Sequence, residues 1–232
     1  LLAGDDVFVF ADFIQTLTNK TLTAPKIASG GFLADANGNE LIIFTTTASA
    51  VNEVTYANGG TGVNPTFTAS GETNVSISLA GKGTGGIILG GTLTNDRAAA
   101  GKVGEVISST IVAGSAVSLT TATPADVTSI SLTAGDWDVY AEVWLNVNAA
   151  TTIAEINGAI SATSATLPTD AALATSLYKL TVPLSTGNNQ RYSVPAARVT
   201  QAGTNTFYLV VQVTFAVNSA AAFGKIWARR AR

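Results

Sequence analysis

From Trp137 onward, apolar and polar side chains alternate. Trp137, Val139, Ala141, Val143, Leu145 and Val147 fall on one side; Asp138, Tyr140, Glu142, Trp144 and Asn146 fall on the other. The same period of two returns in Phe207, Leu209, Val211, Val213, Phe215 and Val217, with Tyr208, Val210, Gln212, Thr214 and Ala216 opposite. Successive side chains of a strand point to opposite faces, so each run predicts a strand with one face on a core and one toward water. Turn-forming residues punctuate this part of the chain at Thr133-Ala134-Gly135-Asp136 and Ser185-Thr186-Gly187-Asn188-Asn189. Residues 101–232 are therefore expected to form a C-terminal antiparallel β-sandwich of jelly-roll type. The Ala/Leu-rich stretch from Asp170 to Tyr178 fits a short helix or a loop.

Residues 1–100 have another texture. Segments are very short and glycine divides them. Asn37-Gly38 lies between Phe32-Leu33-Ala34 and Leu41-Ile42-Ile43-Phe44, which predicts a hairpin closed by a type I′ turn. Asn58-Gly59-Gly60-Thr61-Gly62 and Gly81-Lys82-Gly83-Thr84-Gly85-Gly86 punctuate further expected strands, among them Val75 to Leu79 and Ile87 to Leu89. Such strands are too short and too poor in large side chains to build a private core. Three chains wound about one axis would share one. Thr16-Leu17-Thr18-Asn19 is echoed by Thr92-Leu93-Thr94-Asn95, in keeping with modular shaft units. The expectation is an all-β homotrimer: a short-stranded, intertwined fibrous shaft over 1–100, then the sandwich knob.

Composition sharpens this picture. Charged residues are 12% of the 232 and apolar residues 47%, where soluble domains carry about 25% charge. Self-association is the simplest way for such a chain to cover apolar surface. No apolar run is long enough to span a membrane as a helix. A net charge of −3 argues against nucleic acid as a partner. The chain opens on Leu1 and holds no methionine, so it is expected to be the C-terminal part of a longer protein, or a processed one.

Several phrases resemble those of tailed-bacteriophage tail fibres and related virion fibres. They are Gln15-Thr16-Leu17-Thr18-Asn19-Lys20-Thr21-Leu22-Thr23-Ala24-Pro25-Lys26-Ile27, Asp35-Ala36-Asn37-Gly38-Asn39-Glu40-Leu41, and Thr61 to Gly71 with Thr73-Asn74-Val75 and Gly81-Lys82-Gly83-Thr84-Gly85. Ser131 to Val139 and the closing Ala228-Arg229-Arg230-Ala231-Arg232 are similar to the terminal domain of many such fibres. The resemblance implies a trimeric virion fibre with a knob that contributes to host attachment. Its partners would be further copies of itself, other tail or virion proteins reached through an upstream part, and a host polysaccharide or protein receptor. A head or baseplate decoration fibre and a tailspike-like glycan depolymerase are the alternatives. A bacterial adhesin is a third, for which nothing in these residues speaks.

Candidate chemistry is thin. Histidine and cysteine are absent, which removes Ser-His-Asp and Cys-His nucleophiles and the common zinc sites. No catalytic, cofactor or metal residues are expected. Asp138 and Glu142 share a polar face as a remote glycosidase pair, for which the carboxylates must lie about 5–10 Å apart; solvation of that face is the plainer account. Asp136 reads as part of a turn. Asp35 to Asn39 faintly suggests a calcium loop but lacks the EF-hand spacing, and Gly81 to Gly86 lacks the spacing of a phosphate loop. Tyr140, Trp144, Tyr208 and Trp227 are expected on partly open faces, to stack on sugar or to pack in a trimer interface. Arg229, Arg230 and Arg232 would bind acidic glycans or phosphates, or pair with a neighbouring subunit's acids such as Asp138 or Glu142.

Overall fold

The computed structural model describes residues 21–91, 97–169, 173–184 and 190–232. The echoed phrases at Thr16 and Thr92 and the expected turn at 185–189 lie outside the described residues. The chain divides into two compact units, Leu1–Leu89 and Gly90–Arg232.

In the first unit, β1 (Phe32–Ala34) pairs with β2 (Glu40–Ile43), and β3 (Glu53–Ala57) with β4 (Thr66–Ser70), both antiparallel. The first turn is not type I′, which needs positive φ at both central residues. Only Gly38 has it, at 85°. Gly38 N–H donates to the Asp35 carbonyl (3.1 Å), and Asp35 N–H to the Asn39 carbonyl (2.9 Å). That is a three-residue connection with a left-handed glycine at its end. The Asp35 carboxylate accepts from the N–H groups of Asn37 (2.8 Å) and Asn39 (2.9 Å), so it organises the turn. Val75–Leu79 and Ile87–Leu89 are not strands: glycine surrounds them, and nothing pairs with their backbone among the described residues. Gly81 to Gly86 is a turn, closed by Gly85 N–H on the Lys82 carbonyl (3.0 Å).

The second unit is built from β5 (Val106–Ile111), β6 (Val117–Ser118), β7 (Ala125–Leu132), β8 (Gly135–Val147), β9 (Thr152–Ser161), β10 (Tyr178–Leu184), β11 (Gln190–Gln201), β12 (Asn205–Ala216) and β13 (Ala220–Arg230). A single 3₁₀ turn, Ala174–Ser176, precedes β10 where a helix or loop was expected. The strands form two antiparallel sheets, β11-β8-β13-β5 and β10-β9-β12-β7, with β6 beside β13. Setting β6 aside, the pairs nest: β5 with β13, β7 with β12, β8 with β11, β9 with β10. A long hairpin doubled over in this way, first strand against last, is a jelly roll.

The alternation explains the packing. Trp137, Val139, Ala141, Val143 and Leu145 of β8 face Phe207, Leu209, Val211 and Val213 of β12 across one core, all essentially buried. Val210, expected on a wet face, is fully buried too. It opposes Asp126 in the ladder, and Asp126 accepts from Ser164 Oγ (2.5 Å) and Ala165 N–H (2.7 Å). The segment after β9 is thereby tied to β7. Ser176 ties the 3₁₀ turn to β9, donating to the carbonyl of Leu173 (2.7 Å) and accepting from Ile160 N–H (3.1 Å).

One end of the core is closed by Arg230, 5% exposed. Its Nε donates to Glu105 (2.9 Å), Nη1 to the Ala134 carbonyl (2.7 Å) and Nη2 to Thr133 Oγ1 (2.6 Å). The guanidinium lies 4.2 Å from the Trp137 ring centroid. Gly135 has φ 137°, and a Cβ there would strike Arg230 Nη1. Removing one partner of a buried ion pair strands the other. Arg230→Ala is expected to lose about 3–5 kcal/mol in denaturant unfolding, whereas Arg230→Met with Glu105→Leu loses clearly less. Equal losses would show that the pairing is not what closes this end.

Candidate functional site

The outward face of β11-β8-β13-β5 collects most of the sequence-predicted residues. Strand register sets them in rungs. Arg191, Trp144 and Phe223 align across β11, β8 and β13. The next rung holds Ser193, Glu142 and Lys225, and beyond it Tyr140 pairs with Trp227. A last rung holds Arg198, Asp138 and Arg229. Because β8 and β13 both keep a period of two, most of their polar and aromatic members emerge on this side, Trp137 and Arg230 being turned inward.

The rings stack across strands. Tyr140 and Trp227 are 5.6 Å apart with planes 17° from parallel, and Trp144 and Phe223 are 5.8 Å apart at 13°. Arg191 lies 5.1 Å from the Trp144 centroid, and Lys225 Nζ 5.2 Å from that of Trp227. Trp144 is thus held between Phe223 on one side and Arg191 on the other. Such ring and cation contacts contribute about 0.5–1.5 kcal/mol each. They make the face stiff and leave few open ring faces. Beside Phe223 an apolar hollow of about 280 Å³ runs along Ile111, Val112 and Ala113.

Asp138 and Glu142 do not form a glycosidase pair. Four residues along one strand separates their Cα atoms by about 13 Å, and each carboxylate is engaged, Asp138 by Arg198 and Glu142 by Arg191. Asp136 is not a turn residue. It is the second residue of β8, 4% exposed, and a charge centre. Arg198 donates to it through Nε (3.1 Å) and Nη2 (2.6 Å), and Arg232 Nε stands 3.3 Å away. The Arg198 hydrogen bonds, with the charges of Arg198 and Arg232, hold the Asp136 carboxyl below the usual carboxylate range against the opposing effect of burial.

The terminal arginines are no single cluster. Alternation sends Arg229 outward, opposite Asp138, and Arg230 inward to Glu105. Arg232 goes to Asp136. Arg230 and Arg232 find their acids within the chain, where a neighbouring subunit's acids were expected. The sequence hides this because Glu105 and Arg230 are 125 residues apart. Tyr208 stands apart from the other aromatics, on the four-stranded sheet, where it lines a cavity of about 720 Å³ with Arg198, Gln201, Asn205 and Thr206. Sequence reasoning missed those four; the polar run Thr200 to Thr206 was a signal for Gln201, Asn205 and Thr206, and Arg198 had none. Among the described residues, no group of three or more acids, histidines or cysteines is placed to hold a metal.

No protein-family model matches the chain, and no curated protein does either. Among solved structures, the chain is similar to one of the Gx strain of infectious bursal disease virus, at TM-score 0.37 and 12% identity over 71% of this chain and 38% of that one. A structure of the Gt strain gives TM-score 0.35 and 13% identity, over 71% and 41%. The chain thus spans about two fifths of those chains. The jelly-roll order rests on its own strand pairing, not on this likeness.

A carboxyl whose pKa is lowered by folding adds stability that is complete above its unfolded pKa and disappears as pH falls through the folded value. The unfolded value is about 3.9. Asp136 is therefore expected to contribute at neutral pH and to lose its contribution below about pH 4. In thermal unfolding, Asp136→Asn should melt lower than the parent at pH 7 and lose less between there and strongly acid pH. Parallel curves for the two chains would remove Asp136 as an acid-sensitive group.

Proposed function

We propose that this chain is a structural virion protein of the fibre type: a homotrimer whose glycine-rich first unit gains its core from neighbouring copies, and whose jelly roll is a head domain for host contact. The observation that carries the reading is the state of the first unit. Nearly every residue of β1 to β4 is exposed in the single chain. Leu41 is 68% exposed, Ile43 62% and Tyr56 75%. Isolated two-stranded hairpins are marginal in water, and apolar groups gain about 25 cal/mol per Å² when removed from it. Association of copies along these hairpins supplies the missing burial.

The number three and the virion setting come from the resemblance of the Gln15–Ile27 and Thr61–Gly85 phrases to tail-fibre proteins. The head, by contrast, completes its core within one chain. Three heads on one axis would present three copies of a weak site, and avidity would supply firm attachment without any reaction.

Light scattering on the purified chain in dilute buffer is expected to return three times 23.5 kDa. Leu41→Asp with Ile43→Asp is expected to shift that mass downward while the near-ultraviolet signal of the buried Trp137 persists. A stable monomer of the parent chain would overturn the reading.

A further inference from the structure

We propose that the 720 Å³ cavity where β11 turns into β12 is a binding site for an uncharged saccharide unit. Its size lies within the range of small-ligand pockets, about 300–1,000 Å³. Its polar lining is Arg198, Gln201, Asn205, Thr206 and Tyr208, and the Tyr208 ring is its aromatic wall.

The hydrogen-bonding capacity here is partly spent and partly open. Arg198 has five N–H donors; three are used, two on Asp136 and one on Asp138. Two remain, on a guanidinium fixed in place by the buried Asp136. Asn205 Nδ2 donates to Gln201 Oε1. The Asn205 carbonyl and the Gln201 amino group have no other partner among the described residues, and neither does the Tyr208 hydroxyl. Planar amide and guanidinium edges present donors and acceptors at the spacing of neighbouring hydroxyls on a sugar ring, whose C–H face can rest on an aromatic wall.

Charge selects the class. Among the described residues no carboxylate lines the cavity, which disfavours a cation. The Arg198 charge is already met by Asp136 and Asp138, so little is left for a phosphate or uronate. A neutral polyol uses what remains. The site itself stands on this geometry; only the origin of the sugar, a host surface polysaccharide, rests on the attachment reading.

The test is saturation-transfer NMR on the full chain with glucose, galactose, mannose, rhamnose and N-acetylglucosamine, each as the free sugar. Transfer is expected to at least one of them, weakened about tenfold in affinity by Asn205→Ala and by Gln201→Ala, since each leaves a sugar hydroxyl unpaired. Asn146→Ala, on the outward face of the five-stranded sheet, should leave it unchanged. If an amide variant lowers the melting temperature, Thr206→Val serves in its place. Absence of transfer to all five sugars, or transfer indifferent to the cavity substitutions, would overturn the site. The light-scattering mass is blind to this result, so the site and the trimer fail separately.

Discussion

Eleven residue pairs join β13 to β8 without a shift, from Ala220 opposite Val147 to Arg230 opposite Trp137. A slip of one residue would turn every side chain of β13 to the other face. Ile226 and Ala228 would leave the core, Trp227 and Lys225 would enter it, and Arg230 would lose Glu105. Register therefore sets the inner packing, the outer ladder of rings and charges, and the closure of the core end all at once. The nested pairing places this ladder in the middle of its sheet, with β5 and β11 as its flanks. Both flanks then inherit their alignment from it: Arg198 comes opposite Asp138 and next to Asp136 because β11 pairs with β8.

The two units solve the shortage of charge differently. In the jelly roll, long alternating strands hide their apolar rows from water, and the few charged groups concentrate where they orient one another. The first unit has strands of three to five residues, which cannot stack into two layers. The apolar residues of these strands stay in the open in one chain, and on the proposed reading other copies cover them. That contrast gives the assembly reading its physical content. A chain in which both units were self-sufficient would have no use for a partner.

The parts of the fold legible in the sequence were those governed by local periodicity. Trp137 to Val147 and Phe207 to Ala216 announced strands, their inward rows and the jelly roll. Val75–Leu79 and Ile87–Leu89 have the same local look and are not strands, because a strand exists only through its partner. Val210 alternates like a wet residue yet is buried, opposite the Asp126 that ties down the segment after β9. Asp136 resembled a turn residue because it follows Gly135; its role depends on Arg198, 62 positions away. The terminal arginines looked like one basic patch, and alternation distributed them to three environments. Each of these departures has the same cause: a long-range contact that no window of neighbouring residues contains.

The aromatic ladder and the Tyr208 cavity divide the work that the sequence assigned to one set of aromatics. A sugar-stacking platform needs ring faces free to receive a C–H surface. Trp144 lies between Phe223 and Arg191, and Trp227 lies against Tyr140 with Lys225 close by. These rings have used their faces on one another and on cations, which suits a rigid sheet surface better than a stacking site. Tyr208 sits outside that ladder, with open polar groups beside it and an open cleft in front of it. Exposure of an aromatic residue is thus a poor guide to a binding site on its own. What separates Tyr208 from Tyr140 is that the groups around it still have hydrogen bonds to give.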